Sequence, residues 1–451
     1  MQIHPEIFKA YDIRGLYPGE INEEVARQIG RGFVAYLKPD QIAVSRDMRV
    51  SSPAIAAAFI DGAREQGANV IDYGMMSTDM MYFAVVKDGL AGGAQVTASH
   101  NPGRYNGIKM VRQEALPLSG DAGIGDIRDM LANDRLPAPA AARGSLTTRQ
   151  VLPEYVDKVM SFIDPSVIKP FTVVLDAGSG MGGLVAPKLF DRLPCKTTRL
   201  CFEIDGTFPN HEANPLIEEN RRDITEEVIR QKADVGIAWD GDADRCFFID
   251  GSGEFISGDF ITALLAEAFL LKQPGATIIY DLRASHAVKD TVERHGGRAL
   301  MNRVGHAFIK RRMREEDAAF GGEVTGHYYF KDFYYADNGF IPALLILELM
   351  SKKNKSLRDL LQPYRERYFI SGEINTKLAR MEEVPAKLEA IEARYRDAQL
   401  SKLDGISVDY PDWHFNVRPS NTEPLIRLNL EALTPELMQA KRDEVLSVIR
   451  G

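Results

Sequence analysis

Cysteine is scarce in this chain. Only Cys195, Cys201 and Cys246 occur among 451 residues, an odd number with no Cys-x-x-Cys pair. That excludes a disulfide framework and a zinc ribbon, and it fits a reducing compartment. Long apolar runs are missing as well. The most apolar stretches, 260–271 and 340–350, are too short to span a bilayer, and each carries a glutamate, so both read as buried helices. Excess positive charge is absent: 55 Lys and Arg against 64 Asp and Glu leave a net charge of −9. This balance argues against nucleic acid or an anionic membrane as a partner, and a small anionic ligand would need a local basic pocket. Residues 1–6 lack the basic and apolar regions of a secretion signal, so the expected location is cytoplasmic.

What is present points to a globular protein with ample core, since 45% of residues are hydrophobic and 26% charged. At about 150 residues per domain the length accommodates three domains, with room for a fourth. Three segments share one plan of apolar strand, polar loop and helix: Ile42-Ala-Val-Ser-Arg46-Asp47, Val173-Val-Leu-Asp176-Ala-Gly-Ser179, and Ile278-Ile-Tyr-Asp281-Leu-Arg283-Ala-Ser285. Strands alternating with helices imply a mixed or parallel sheet covered on both faces. The Ala- and Pro-rich stretch 132–149 marks a boundary near 150, the turn at 251–253 another near 256, and a change of pattern a third near 368. The expected architecture is three related α/β domains over 1–150, 151–255 and 256–368, then a smaller α+β domain over 369–451.

Four loops carry candidate chemistry. Thr97-Ala-Ser99-His100-Asn-Pro102 follows a strand-like stretch, which puts Ser99 on a strand-end loop beside an imidazole, with Lys109 ten residues beyond. An ordinary serine-rich turn fits that spacing equally well. Asp240-Gly-Asp242-Ala-Asp244-Arg245 lies between two apolar strands, and three carboxylates at alternate positions repel one another unless a hard cation sits among them. An EF-hand fails, because its sixth position would be Arg245 and its twelfth Gly251. A plain acidic turn stays open. Arg418-Pro-Ser420-Asn421-Thr422-Glu-Pro424 offers a guanidinium, hydroxyls, an amide and turn amides as a phosphate cradle. Gly322-Glu323-Val324-Thr325-Gly-His327 offers a carboxylate and a hydroxyl to sugar hydroxyls, although a simple strand–turn–strand explains it too. His306 in a Gly turn and Arg14 in the turn Ala10-Tyr11-Asp12-Ile-Arg14-Gly15 are weaker signals. Together the loops supply a nucleophile, a magnesium site, a polyol reader and a phosphate clamp, the parts that phosphoryl transfer on a sugar phosphate needs.

Taken in order, TASHNP, DGDADR, GEVTGH and RPSNTEP make the whole chain resemble the α-D-phosphohexomutase family, closest to its bacterial phosphomannomutase/phosphoglucomutase members. The resemblance implies four domains around a central active-site cleft. It implies reversible conversion of hexose 1-phosphate and hexose 6-phosphate through a phosphoserine at Ser99 and a 1,6-bisphosphate intermediate. Ser99, Asp240, Asp242 and Asp244 would then hold Mg²⁺, with Lys109, Arg14 and His100 serving the transfer step. Tyr11, Arg245, Arg283, His306, Glu323, Thr325, His327, Arg418, Ser420, Asn421, Thr422 and Arg427 would bind substrate. Glucose or mannose 1,6-bisphosphate is the implied activator, sugar phosphates the partners, and a monomer or weak homodimer the assembly. Three positions depart from or discriminate within the family pattern: Thr325 stands where serine is common and Arg283 where lysine is common, while Val324 stands where glucosamine-directed relatives tend to carry Gln. With Tyr105, Val324 favours hexose over hexosamine phosphates. A phosphoserine-forming two-zinc phosphatase is disfavoured, because eight histidines occur without paired spacing. An inactive binding protein is disfavoured because every expected group is present.

Overall fold

Asn22 opens helix α1 (Glu23–Leu37) by accepting from the Val25 amide at 3.1 Å, with Glu23 and Glu24 in the first turn favoured by the helix dipole. The stripe Val25, Ile29 and Phe33 is buried where α1 packs against α2 (Ser52–Glu65). The two helices approach so closely that a Cβ on Gly62 would lie 1.9 Å from the Arg27 carbonyl oxygen. This computed structural model describes residues 4–120, 122–420 and 424–451. It falls into two compact units. The first takes in the chain up to Ile256 with Met313–Glu315 and Thr325–Leu357, and the second holds Ser257–Arg312, Glu316–Val324 and Arg358–Gly451.

In the first unit, strands β1 (Ile13–Leu16), β2 (Gln41–Arg46), β3 (Asn69–Met75), β4 (Gly92–Val96), β5 (Tyr105–Arg112), β6 (Leu116–Pro117) and β7 (Leu146–Thr148) form one mixed sheet. Its order is β1-β5-β4-β2-β3-β7, with β6 on β5; β2 runs parallel to β3 and β4, while β5 is antiparallel to β1 and β4. Helices α3 (Thr78–Lys87) and α4 (Ile124–Ala132) complete this layer. The stretch 132–149, despite its weak periodicity, contributes edge strand β7. A second sheet follows helix α5 (Leu152–Met160), with β8 (Thr172–Asp176), β9 (Lys196–Leu200), β10 (Val235–Trp239), β11 (Cys246–Asp250) and β12 (Phe255–Ile256) in the order β12-β11-β10-β8-β9. Helices α6 (Gly182–Phe190) and α7 (Arg222–Gln231) belong to the same segment. Trp239 pairs with Cys246 across the antiparallel β10–β11 hairpin, so the acidic motif is the hairpin loop itself.

The second unit begins with the buried helix α8 (Gly258–Lys272) and the parallel strands β13 (Thr277–Asp281), β14 (Arg298–Asn302) and β15 (Phe320–Gly322), with helices α9 (His286–Arg294) and α10 (His306–Glu315). The chain then supplies the first unit with hairpin β16 (Tyr328–Phe330) and β17 (Ala336–Asp337) and the buried helix α11 (Ile341–Lys353). After α12 (Leu357–Arg365), the antiparallel sheet β18 (Phe369–Lys377), β19 (Gln399–Ser401), β20 (Ile406–Asp409), β21 (Trp413–Pro419) and β22 (Leu425–Ala432) runs in the order β18-β22-β21-β20-β19. Helices α13 (Glu383–Arg394) and α14 (Pro435–Arg450) pack against it. The strand–helix alternation and the closing α+β segment agree with the fold class read from sequence.

The glutamates inside the two apolar runs are paired: Glu267 lies 3.4 Å from His295 Nε2 and Glu348 lies 2.9 Å from Lys352 Nζ. Among the described residues no helix is long and apolar enough to cross a membrane. Two residues assigned to turns sit on strands instead. Arg14 is on β1 opposite Gly107, and Arg418 is on β21 opposite Arg427 of β22. Strand pairing recruits both because their neighbours Ile13 and Val417 are fully buried.

Candidate active site

Ser99 follows β4 on a tight loop with φ of 50°, a conformation uncommon for a non-glycine residue. Its amide donates to Thr97 Oγ1 at 2.9 Å, and Arg49 holds the loop from below. The Arg49 guanidinium is fully buried and donates to the carbonyls of Ser99 (2.8 Å), Asn101 (2.6 Å), Pro102 (2.8 Å) and Tyr105 (3.0 Å). Asp47 at 3.2 Å balances its charge. On the other side the hairpin loop 240–245 packs so tightly that a Cβ on Gly241 would lie 2.5 Å from the Ser99 carbonyl oxygen. Glycine there is a steric requirement.

The Ser99 hydroxyl, 4% exposed as a residue, donates to Asp240 Oδ2 at 2.9 Å, lies 3.1 Å from His100 Nδ1, and accepts from Arg245 at 3.3 Å. Arg245 Nε also donates to Asp240 at 2.9 Å, and its Nη2 meets His100 Nδ1. Lys109, on β5, bridges Asp242 (2.7 Å) and Asp244 (2.5 Å). Arg14 donates to Asn101 Oδ1 at 2.8 Å and pairs with Asp12, the neighbour of half-buried Tyr11. His327 lies 3.6 Å from Asp244. Thr78 at the start of α3 donates its hydroxyl to Asp242 at 2.5 Å, and its amide donates to the Asp242 carbonyl at 3.1 Å. Arg49 and Thr78 escaped sequence reading; the only signal was their place in strand–loop–helix connections.

Burial and the surrounding charges set the protonation states. Burial pushes the Asp240 carboxyl up against the pull of Arg245. For Asp242, burial and Asp244 act upward, but Lys109 outweighs them and keeps it ionised. Burial disfavours charge on Lys109, yet Asp242 and Asp244 more than compensate and raise its pKa. His100 is driven well below its ordinary value by burial and then by Arg245 and Arg14, which keeps its ring neutral. The donor set also suits a hard cation. One oxygen from each of Asp240, Asp242 and Asp244 lies within 4.8 Å of the others, and buried Asp242 Oδ1 has no hydrogen-bond partner.

The second unit holds a separate anion-seeking group. Arg283 is clamped by Asp281, at 3.0 Å from Nε and 2.9 Å from Nη2, and its Nη2 lies 3.9 Å from Glu323. Arg418 donates to Glu373 at 2.9 Å, while Arg427 and Arg283 each come within 3.8 Å of that carboxylate. Arg418 and Arg427 thus share one counter-ion, and the Nε of each is buried without a hydrogen-bond partner. Burial and then the charge of Arg283 lower the Arg418 pKa. Such a cluster favours an anion with several oxygens. Glu373 was also missed from sequence, where a glutamate on a strand carries no signal. Glu323 accepts from the Gly305 amide at 3.0 Å, just before His306 at the start of α10. Ser420 is buried, and its amide donates to the Leu425 carbonyl at 2.8 Å. Half-buried Thr325 belongs to the first unit, and Asn421 and Thr422 lie outside the described residues.

Sequence models of phosphoglucomutase/phosphomannomutase match this chain in four consecutive pieces: alpha/beta/alpha domain I over residues 5–136, domain II over 153–253, domain III over 257–368 and the C-terminal domain over 373–448. The chain belongs to the phosphoglucomutase/phosphomannomutase family. This mutase is 44% identical to a phosphomannomutase of Escherichia coli over 453 aligned residues, covering 98% of this chain and 99% of the relative. It is likewise 44% identical to the phosphohexose mutase of Xanthomonas campestris pv. campestris strain B100, covering 98% and 99%. A crystal structure of a family protein from Burkholderia thailandensis superposes with a TM-score of 0.90 at 32% identity, covering 100% of this chain and 98% of that one. The mutase is an enzyme of the phosphohexomutase class.

Proposed function

We propose that this mutase reversibly interconverts hexose 1-phosphate and hexose 6-phosphate, of mannose, glucose or both, through a phosphoserine at Ser99 and a hexose 1,6-bisphosphate. The observation that carries the reading is the Ser99 hydroxyl, buried 2.9 Å from Asp240 in a three-carboxylate cluster and 3.3 Å from Arg245. Asp240, Asp242 and Asp244 would hold Mg²⁺, which when bound supplies charge neutralisation for phosphoryl transfer at Ser99. Transfer forms a bond between the sugar hydroxyl oxygen and phosphorus and breaks the Ser99 Oγ–phosphorus bond. The sugar hydroxyl loses its proton and the serine regains one. The bisphosphate then turns over and returns its other phosphate to Ser99.

The charged residues divide this work. Lys109, kept protonated by Asp242 and Asp244, and Arg245 offset charge on the transferring group. Neutral His100 orients the hydroxyl and is a proton acceptor only. Arg418, Arg427 and Arg283 grip the phosphate that is not reacting, Ser420, Asn421 and Thr422 assist, and Glu323 and Thr325 read sugar hydroxyls. His306, His327, Tyr11 and Arg14 complete the surroundings. The test is a mutase assay on glucose, mannose and glucosamine 1-phosphates with Mg²⁺ and glucose 1,6-bisphosphate, paired with intact mass. Ser99→Ala should lose the phosphoryl mass and at least about 10³-fold in kcat. Release of inorganic phosphate without isomer formation would instead make the protein a phosphatase.

A further inference from the structure

The acidic hairpin loop is gripped from two sides within the first unit. Thr78, the first residue of α3, is fully buried. Its amide donates to the Asp242 carbonyl at 3.1 Å and its hydroxyl to Asp242 Oδ2 at 2.5 Å, so one residue holds both the backbone and the carboxylate of Asp242. We propose that Thr78 is a positioning residue that turns Asp242 to offer a single oxygen, Oδ1, to a small hard cation, and that it thereby sets the preference of the acidic cluster for Mg²⁺ over Ca²⁺. The inference rests on the reading that Asp240, Asp242 and Asp244 hold Mg²⁺.

An aspartate carboxylate turns easily about its terminal torsion, so the backbone alone does not fix which oxygen faces a neighbour. Each carboxylate oxygen accepts about two hydrogen bonds. Oδ2 of Asp242 takes both, from Thr78 Oγ1 at 2.5 Å and from Lys109 Nζ at 2.7 Å, and has no lone pair left for a metal. Oδ1 is buried without a hydrogen-bond partner. Asp242 is therefore set to bind through one oxygen. Mg²⁺ suits that arrangement, because it takes single oxygens in near-ideal octahedral geometry, whereas Ca²⁺ takes more oxygens and often both from one carboxylate. The Lys109 ammonium sits on a flexible stem and also serves Asp244. Thr78, by contrast, is fixed by the fold. Ser77 and the Tyr155 hydroxyl, the latter at 2.6 Å, both donate to buried Asp79 beside it. Tyr155 accepts from Asn338 Nδ2 at 2.9 Å, and Asn338 Oδ1 accepts from the Phe340 and Ile341 amides at 2.8 Å where α11 begins. Gly339 packs so close to the loop that a Cβ there would lie 2.3 Å from the Ala243 carbonyl oxygen. The starts of α3 and α11 thus clamp the loop at Asp242 and Ala243, tied together through Asp79, Tyr155 and Asn338.

Calorimetric titration of the full-length mutase with Mg²⁺ and with Ca²⁺, at a phosphorylated fraction matched by intact mass, tests the inference. Thr78→Val keeps the size and the backbone amide but removes the hydroxyl, and should weaken Mg²⁺ binding about 10- to 100-fold. Ca²⁺ tolerates irregular geometry and should lose much less, so the affinity ratio shifts toward Ca²⁺. The Mg²⁺ concentration for half-maximal mutase rate should climb by the same factor as the Mg²⁺ dissociation constant. Thr78→Ser keeps the hydroxyl and drops a buried methyl; it should melt lower than the parent yet bind Mg²⁺ as the parent does. Unchanged Mg²⁺ binding in Thr78→Val, equal loss of both ions there, or a matching Mg²⁺ loss in Thr78→Ser would overturn the inference and leave a packing role only. Failure of the parent itself to bind Mg²⁺ would instead defeat the reading that the cluster holds this ion, and the inference with it.

Discussion

Arg49 offers the sharpest test of how the serine loop is held. Its guanidinium is fully buried, faces Asp47 at 3.2 Å, and donates to four carbonyls between Ser99 and Tyr105. In Arg49→Met, Asp47 stays buried without its cation, a change that costs about 3–5 kcal/mol. At roughly 2–4 °C per kcal/mol for a unit of this size, the first unit should melt about 6–20 °C lower. Arg49→Lys separates charge from geometry. Lysine keeps the positive charge, but its three donors cannot reproduce a planar fork of five, so at least two of the contacts are lost. A loop displaced by about 1 Å loses roughly 10²-fold in rate, so kcat should fall further than stability alone explains. Thermal unfolding, kcat and KM on glucose 1-phosphate, and the phosphorylated fraction by intact mass report these effects separately. Should Arg49→Lys melt within about 2 °C of the parent and keep its kcat, the loop is held by something else and the reasoning fails.

Three further outcomes follow from the same charges. Lys109→Met leaves Asp242 and Asp244 uncompensated, which should cost about 3–5 kcal/mol without metal. Added Mg²⁺ should then raise the melting temperature more in the variant than in the parent, and equal shifts would sink the idea. Glu373→Gln removes the carboxylate that competes with phosphate for Arg418 and Arg427. Because Glu373 is partly exposed, the gain is about 1 kcal/mol, so KM for a sugar phosphate should drop roughly fivefold at low salt; an unchanged or higher KM counts against the clamp. His211 sits 3.1 Å from Asp176; burial opposes its charge, but Asp176 and Cys201 prevail and push its pKa up to about 11. A raised folded-state pKa contributes stability in full below the unfolded value near 6.5, and that contribution is lost as pH rises toward 11. Unfolding free energy should therefore decline across that window in the parent and decline less in His211→Asn; parallel curves refute the assignment.

Local chemistry was legible in the amino-acid order because it acts over a few residues. Three aspartates at alternate positions between apolar strands could only be a charged turn or a cation loop, and the Trp239–Cys246 pairing makes 240–245 a hairpin loop. The apolar runs became α8 and α11 because apolar side chains are spread around the helix rather than along one stripe, with Glu267 and Glu348 each paired to a basic side chain. The strand, loop and helix plan read three times announced mixed α/β sheets. Partnership across the chain was not legible. Arg49 serves carbonyls about fifty positions later, Thr78 serves an aspartate 164 residues away, and Glu373 gathers arginines from three strands or loops. Arg14 and Arg418 read as turn residues, yet β-pairing placed them on strands whose register fixes what they face. Residue type and period set which element a segment forms, since those preferences come from its own backbone and nearest neighbours. Which elements lie side by side depends on sheet order and burial summed over the fold, and only that arrangement decided that Ser99 meets Asp240.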